Sequence, residues 1–140
     1  MNAKVFVDTN ILVYAHDRGT GDKHDKARAL VEELWQHRCG VLSTQVVQEF
    51  YVNVRRKARH PVTLAEARRL LEDYLCWEVV TNTSDTILAA FQFEERFGLS
   101  FWDALIVQAA HAAGVQRLYS EDFNHGQMYG AVAACNPFLA

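Results

Sequence analysis

Hydrophobic positions along the chain fall into two patterns, short apolar runs and longer stretches with helical spacing. The short runs are typical of buried strands, and they predict strands at 4–8, 41–42, 77–80, 117–119 and 131–135. In the longer stretches, apolar side chains recur every three or four residues, as in amphipathic helices, and these predict helices at 11–16, 23–37, 44–58, 63–75, 84–97 and 100–113. Strands that alternate with helices predict an α/β domain with a mainly parallel sheet.

Polar and turn-forming residues set the predicted boundaries of these elements. Asn10 is expected to cap the first helix, and Thr63 with Glu66 has the pattern of a capping box at the start of the fourth. Glycines or a proline follow several of the helices, where they stop helical periodicity. The last strand, 131–135, is expected at an edge of the sheet.

Composition fits one soluble domain. The chain has 140 residues, of which 50% are hydrophobic and 22% charged, so a single domain over 1–140 is predicted. Its cysteines are three in number and widely spaced, which favours free thiols in a reducing compartment. The tryptophans lie at apolar positions or element boundaries and are expected in the core. Because no apolar run reaches the ~18 residues of a membrane span, a cytoplasmic location without membrane contact is expected.

Four acidic residues are expected to meet at one edge of the predicted sheet. Asp8 ends the first strand, and Asp122 follows the strand at 117–119. Glu49 and Asp103 lie in early turns of helices, which in right-handed crossovers begin near the carboxyl ends of parallel strands. Ligands of open α/β sheets bind at that edge. Asp8 and Asp103 could instead serve only as helix caps, since both stand in good capping sequences.

Four neighbouring carboxylates repel one another, and a divalent cation would relieve that repulsion. The candidate ligands are all oxygens, which favours Mg²⁺, or Mn²⁺ in its place, over Zn²⁺. A metal-activated water is then expected to attack phosphorus. The net charge of −3 arises from 17 acids and 14 Lys and Arg residues, so removing the four site acids leaves 13 acids and a nearly neutral remainder.

A basic cluster follows Glu49 along its helix. Glu49, Asn53 and Arg56 share one helix face, at spacings of four and three residues. The cluster itself includes Arg55, Arg56 and Lys57, which are candidates for a phosphate-binding track that leads to the site. Basic residues near a helix carboxyl terminus also suit the helix dipole, and the sequence leaves both interpretations open.

Several motifs of the chain, taken in order, resemble those of PIN-domain nucleases. They are Val7-Asp8-Thr9-Asn10-Ile11-Leu12, Gln48-Glu49-Phe50, Ser100-Phe101-Trp102-Asp103-Ala104-Leu105-Ile106, Leu118-Tyr119-Ser120-Glu121-Asp122-Phe123 and Asn136-Pro137-Phe138. Within that family the chain is most similar to the VapC-like toxins of bacterial type II toxin–antitoxin systems. The resemblance implies a three-layer α/β/α sandwich with a mainly parallel sheet of four to five strands.

The resemblance also implies an endoribonuclease that uses Mg²⁺ or Mn²⁺, with Asp8, Glu49, Asp103 and Asp122 as its acidic quartet. Asn10 and Ser120 resemble the polar residues that support such a quartet, and Glu121 competes with Asp122 for the fourth position. RNA is the implied substrate, a cognate antitoxin the implied inhibitor, and a homodimer the implied assembly. Two alternatives stay open: a non-catalytic PIN-fold module that binds RNA or acts as a scaffold, and a PIN nuclease of RNA processing unrelated to toxin–antitoxin systems.

Overall fold

The computed structural model describes residues 3–139, so residues 1–2 and 140 of the predicted 1–140 domain lie outside the described part. Its helices are α1 (Thr9–His16), α2 (Asp22–His37), α3 (Thr44–Arg56), α4 (Leu64–Tyr74), α5 (Ser84–Phe97) and α6 (Phe101–Ala112), with a 3₁₀ turn at Arg18–Thr20. Its strands are β1 (Val5–Val7), β2 (Gly40–Ser43), β3 (Glu78–Val80), β4 (Arg117–Tyr119), β5 (Met128–Tyr129) and β6 (Val132–Cys135).

The strands form one sheet in the order β3-β2-β1-β4-β6-β5. All neighbouring strands are parallel except β5 and β6, which pair antiparallel. Successive side chains of a strand point to opposite faces, and every residue of β1 is buried. Helices therefore cover both faces: α1 to α4 pack in one group, while α5 packs on α6, which contacts β2, β4 and β6. This arrangement confirms the predicted α/β class with a mainly parallel sheet.

The far end of the sheet differs from the prediction. The sheet has six strands rather than four to five, and β6 is an inner strand, because β5 pairs with it and takes the edge. Strand β5 contains only Met128 and Tyr129, too few residues for an alternating pattern to be visible in the sequence. Gly130 makes the tight turn with a φ of 66°, and a side chain there would collide with His111.

Side-chain caps fix the starts of four helices close to where the sequence places them. The hydroxyl oxygens of Ser43, Thr63, Thr83 and Ser100 each accept a hydrogen bond from a backbone N–H in the first turn of the helix that follows. Such caps stabilise a helix start by about 1 kcal/mol. At Thr83 the contact is reciprocal, since its own N–H donates to the Thr86 hydroxyl at 2.6 Å.

An aromatic cluster closes the edge of the sheet where β2 begins, and we call it the aromatic edge: Trp35, Tyr74 and Trp77 around Gly40. The ring centroids of Trp35 and Tyr74 both lie 5.3 Å from that of Trp77. A Cβ atom on Gly40 would stand 2.1 Å from the Trp77 ring, so only glycine fits there. A cavity of about 460 Å³ adjoins this cluster. Within residues 3–139, no helix has the length and apolar character needed to span a membrane.

Candidate active site

The three central strands direct their carboxyl ends toward the predicted acidic residues. Strand β1 lies between β2 and β4, so the chain builds outward on one side of β1 and then returns to its other side. A crevice opens at such a reversal of strand order, and α/β proteins bind ligands there. Asp8 follows β1 directly, and its backbone N–H donates to the carbonyl of Tyr119 at the end of β4. We call the set Asp8, Glu49, Asp103 and Asp122 the acidic edge.

Asp8 is the buried member of the acidic edge, with 4% of its surface exposed. The Ser120 hydroxyl donates to Asp8 Oδ2 at 2.7 Å, and the Thr9 N–H donates to Oδ1 at 2.8 Å. Burial raises the pKa of Asp8 from 3.8 to about 7; the two hydrogen bonds oppose the shift, while the charges of Asp122 and Glu49 add to it. Asp8 thus binds a proton or a cation readily near neutral pH.

Asn10 was predicted to cap α1, and that prediction is wrong. The cap is Asp8, whose carboxylate accepts from the first N–H of the helix. The amide of Asn10 lies one residue into the helix and donates instead to Asp122 Oδ2 at 2.8 Å. Capping and site chemistry therefore coincide in Asp8, while Asn10 links α1 to the loop that carries Asp122.

Glu49 reaches the acidic edge from the middle of α3. The Thr9 hydroxyl donates to Glu49 Oε1 at 2.8 Å, while the next residue, Asn10, donates to Asp122. Two adjacent residues at the start of α1 therefore orient two different acids. Further along the same helix face, Asn53 and Lys57 line the site. Lys57 rather than Arg56 therefore lies beside the acids, because the face from Glu49 continues in steps of four residues.

Asp103 lies in the first turn of α6, and its backbone N–H donates a hydrogen bond to the capping Ser100 hydroxyl at 3.1 Å. Partial burial raises the pKa of the Asp103 carboxyl, and the charges of Asp122 and Glu49 raise it further. The charges of these same two acids also raise the pKa of Asp8. The predicted quartet is therefore brought close enough for its members to interact electrostatically.

Glu121 and Asp122 point in different directions. The Asp122 N–H donates to Ser120 Oγ at 3.0 Å, and the Asp122 carboxylate accepts from Asn10 at the crevice. Glu121 turns away: it accepts a hydrogen bond from the Tyr14 hydroxyl and pairs with Lys23 Nζ at 2.8 Å. This geometry favours Asp122 as the fourth acid.

A cavity of about 260 Å³ joins the four acids. Its lining includes Asp8, Thr9, Asn10, Gln45, Glu49, Asn53, Lys57, Trp102, Asp103 and Asp122. The remaining predicted candidates, Ser120, Glu121, Arg55 and Arg56, are absent from this lining. Ser120 is buried and contributes indirectly, through its hydrogen bond to Asp8. The Arg55 guanidinium lies 6.0 Å from the Tyr51 ring centroid.

The donor set of this cavity suits a hard cation. One amide oxygen beside the acids, Asn10 Oδ1, has no hydrogen-bond partner although its amide nitrogen donates to Asp122. In the part of the chain that the structure describes, no group of three or more His, Cys, Asp or Glu side chains is placed to hold a metal ion. Mg²⁺ usually takes only one or two carboxylates and completes its shell with waters and substrate phosphate. The residues present therefore fit Mg²⁺ with its waters better than a closed structural metal.

Sequence reasoning missed three residues of the site. Thr9 holds Glu49, and its only signal is its place between Asp8 and Asn10. Gln45 is buried at the start of α3, where a polar residue inside an apolar stripe is the signal. Trp102 was expected in the core, but 62% of it is exposed and it lines the cavity. Its position directly before Asp103 was the signal for a surface role.

Comparisons with known proteins agree with this fold. The PIN domain family model matches residues 5–130. No curated protein matches the chain. Among solved structures, the chain is similar to VapC20 of Mycobacterium tuberculosis, described as a Sarcin-Ricin loop cleaving toxin, at 20% identity and a TM-score of 0.61 over 82% of this chain and 87% of that one. It is also similar to a toxin–antitoxin complex from Klebsiella pneumoniae, at 17% identity and a TM-score of 0.67 over 96% of this chain and 98% of that one. A third similar structure is VapBC2 of Rickettsia felis bound to a promoter DNA fragment, at 19% identity and a TM-score of 0.60 over 93% of this chain and 96% of that one.

Proposed function

The chain belongs to the PIN-domain family, whose model matches most of its length, and from that premise we propose that it is a Mg²⁺-dependent endoribonuclease. We propose further that it is the toxin of a VapBC-type toxin–antitoxin module. The acidic edge is its active site, with Asp8, Glu49, Asp103 and Asp122 acting together. RNA is the substrate, and the reaction is hydrolysis of a phosphodiester bond.

One observation carries this proposal: a buried carboxylate, Asp8, is surrounded by further acids instead of a basic partner. Its hydrogen bonds come from Ser120 and Thr9, which are uncharged, and its charged neighbours are Asp122 and Glu49. Such an arrangement costs folding stability, because neither burial nor like charge favours the ionised form. Strongly shifted acids in a cleft are characteristic of functional sites, and a bound cation would supply the missing positive charge.

The four acids share the task of holding a metal. Asp8, Glu49, Asp103 and Asp122 are the residues that would hold Mg²⁺ or Mn²⁺, one or two of them directly and the others through its bound waters. When bound, such an ion activates water for attack on phosphorus and stabilises charge on the leaving oxygen. Ser120, Thr9 and Asn10 keep three of the carboxylates oriented through their hydrogen bonds. Lys57, at the rim, attracts the RNA phosphates.

The toxin assignment rests on the solved structures with the same fold, which include a toxin–antitoxin complex and VapBC2. A cognate antitoxin would act by covering the acidic cavity, where a basic side chain matches the unbalanced carboxylates. A homodimer and a cytoplasmic location belong to the same proposal. A neighbouring gene for a small DNA-binding protein would support the toxin role over a role in general RNA processing.

The direct test is cleavage of a pool of structured RNAs by the purified protein with Mg²⁺, with Mn²⁺ and with EDTA. Asp8→Asn is the site variant, and Asp73→Asn, at an exposed position on α4 away from the cavity, is the matched control. We expect cleavage by the unaltered protein and the control, with either metal, and none by Asp8→Asn. Equal and metal-independent cleavage by all three proteins would contradict the proposal. RNA retention without turnover by any of them would identify a non-catalytic RNA-binding module.

A further inference from the structure

Trp102 has an unusual position for so large an apolar side chain. It lies in the first turn of α6, next to Asp103, with 62% of its surface exposed. Its indole makes an edge contact with Phe101 at a centroid distance of 5.4 Å, and Trp102 is one of the residues that line the acidic cavity. Burying this ring would be favourable, so its exposure beside the acids points to a ligand with a flat apolar surface.

Gln45 adds a second and independent observation at the same place. Only 7% of this residue is exposed, and its Nε2 donates to the Trp102 backbone carbonyl at 3.2 Å. A carbonyl only accepts hydrogen bonds, so this contact fixes which end of the amide is nitrogen. The other end, Oε1, is buried without a hydrogen-bond partner, and Gln45 is one of the residues that line the cavity. A buried acceptor without a partner calls for an explanation, and a donor brought by a ligand would supply one.

We propose that Trp102 and Gln45 form a nucleoside subsite beside the acidic edge. One nucleobase of single-stranded RNA stacks on the Trp102 ring, and Gln45 Oε1 accepts a hydrogen bond from an N–H or O–H group of the same nucleotide. This inference rests on the proposed function, since RNA is the ligand. Splayed bases that stack on aromatic side chains are the usual mode of single-strand recognition. A cavity of about 260 Å³ suits one unit of a polymer rather than a whole ligand.

The test measures binding rather than turnover. The probe is a fluorescein-labelled, unstructured 12-nucleotide RNA that contains all four bases, and its companion is a 12-unit abasic sugar–phosphate chain of equal charge. Anisotropy is followed in Ca²⁺, which takes the same oxygen ligands as Mg²⁺. The variants are Trp102→Leu, Trp102→Phe and Gln45→Met. Leu88→Ala is the control, because Leu88 is also 62% exposed but lies on α5 outside the cavity lining.

Trp102→Leu should weaken RNA binding about tenfold, as expected for loss of a stacked base, and leave binding of the abasic chain within about twofold. Trp102→Phe should retain most of the affinity, because it keeps an aromatic face. Gln45→Met should weaken RNA binding several-fold, and Leu88→Ala should have no effect. Circular dichroism melting of each variant separates loss of binding from loss of fold.

Three results would overturn the subsite. The first is an equal loss of affinity for RNA and for the abasic chain, and the second is no loss for either. The third is a change of oligomeric state in Trp102→Leu by sedimentation, which would make this face a contact between copies of the chain. Cleavage of RNA by the unaltered protein is measured in a separate assay with Mg²⁺. If unaltered protein cleaves RNA but binding ignores Trp102, only the subsite fails. If binding depends on Trp102 without any cleavage, only the proposed nuclease activity fails.

Discussion

The two ends of the central strands of this molecule are built on opposite principles. At the aromatic edge, rings pack against Gly40 so closely that a single methyl group has no room. At the acidic edge, a carboxylate is buried, its acidic neighbours repel it, and two amide oxygens lack partners. One end is held by tight aromatic contacts, although the Trp77 indole N–H is buried there without a partner, and the other retains acidic groups that repel one another.

This difference separates a region whose side chains mainly stabilise the fold from one whose side chains suit chemistry. Close packing stabilises a fold, whereas buried polar groups without partners weaken it. Repelling acids and unpartnered acceptors persist where a ligand completes them. A change at the aromatic edge should therefore alter stability more than turnover, and a change at the acidic edge should do the opposite.

Asp103→Asn should lower the rate of RNA cleavage by about 100-fold or more. Loss of a residue that only orients a metal ligand typically lowers activity up to about 100-fold, and loss of a metal ligand itself should lower it at least as much. The melting temperature should change little, since Ser100 still caps α6 through the backbone N–H. Initial rates at saturating Mg²⁺ and a calorimetric scan measure the two quantities. Asp73→Asn serves as the exposed control. A large drop in melting temperature without loss of turnover would reverse the contrast.

Gly40→Ala should destabilise the protein by about 1–3 kcal/mol, the usual cost of overpacking. The added Cβ would lie 2.1 Å from the Trp77 ring, so strand or ring must shift. Turnover measured well below the melting temperature should stay within about twofold. Urea unfolding gives the free energy, and the double variant with Trp77→Leu should recover part of it by making room. If the loss of unfolding free energy in the double variant is as large as the sum of the losses in the two single variants, contact with the Trp77 ring does not cause the destabilisation.

The stability of the metal-free protein should respond to pH through Asp8. Its folded pKa of about 7 exceeds its ordinary value of 3.8, so between these values the folded state holds a proton that the unfolded state has released. Asp8 therefore contributes full stability below about pH 4, and this contribution is lost as the pH rises to about 7, at up to about 1.4 kcal/mol per pH unit.

Partly buried His16 has the opposite effect, because partial burial lowers its pKa from 6.5 to about 4 and so favours folding as the pH rises through that range. The measurable quantity is therefore the difference between unaltered protein and Asp8→Asn in urea unfolding at pH 5, 6 and 7 with EDTA. We expect Asp8→Asn to gain relative stability as the pH rises. A difference that stays constant with pH would mean that Asp8 titrates normally in the folded protein.

Glu121→Gln should have the smallest effect, a change in turnover of less than about threefold. Its carboxylate pairs with Lys23 and accepts from the Tyr14 hydroxyl, and although Tyr14 lines the acidic cavity, Glu121 itself does not. Asp122→Asn, one residue further, should instead reduce turnover by about 100-fold. The two variants measured side by side decide which acid is fourth. A larger loss from Glu121→Gln than from Asp122→Asn would reverse the assignment.

The strand and helix pattern of the sequence was enough to predict the α/β class and the meeting of the four acids. Topology explains this success, because strand ends and helix starts converge on the same edge whatever the exact boundaries are. The hairpin of β5 and β6 could not be predicted in the same way. Strand β5 contains only Met128 and Tyr129. Its pairing with β6 depends on the turn at Gly130 and on the contact of that turn with His111.

Side-chain direction was the other limit of sequence analysis. Asn10 looked like a cap by composition, yet whether it or Asp8 caps α1 depends on where the helix begins, which a pattern fixes only to within a few residues. Exposure of Trp102 likewise depends on what packs beside α6; its position before Asp103 indicates a surface role but not which elements leave the ring uncovered. Glu121 and Asp122 are equivalent in composition and differ only in the partners that the fold offers them.

The central claim is that the acidic edge binds one catalytic cation through Asp8. Calorimetric titration of Mn²⁺ at pH 7, into unaltered protein and into Asp8→Asn, tests it most directly. We predict saturable binding to the unaltered protein with release of about half a proton, because a carboxyl with a pKa of about 7 must ionise to bind the metal. Asp8→Asn should lose that binding. Equal Mn²⁺ binding by the two proteins, or none by either, would contradict the account.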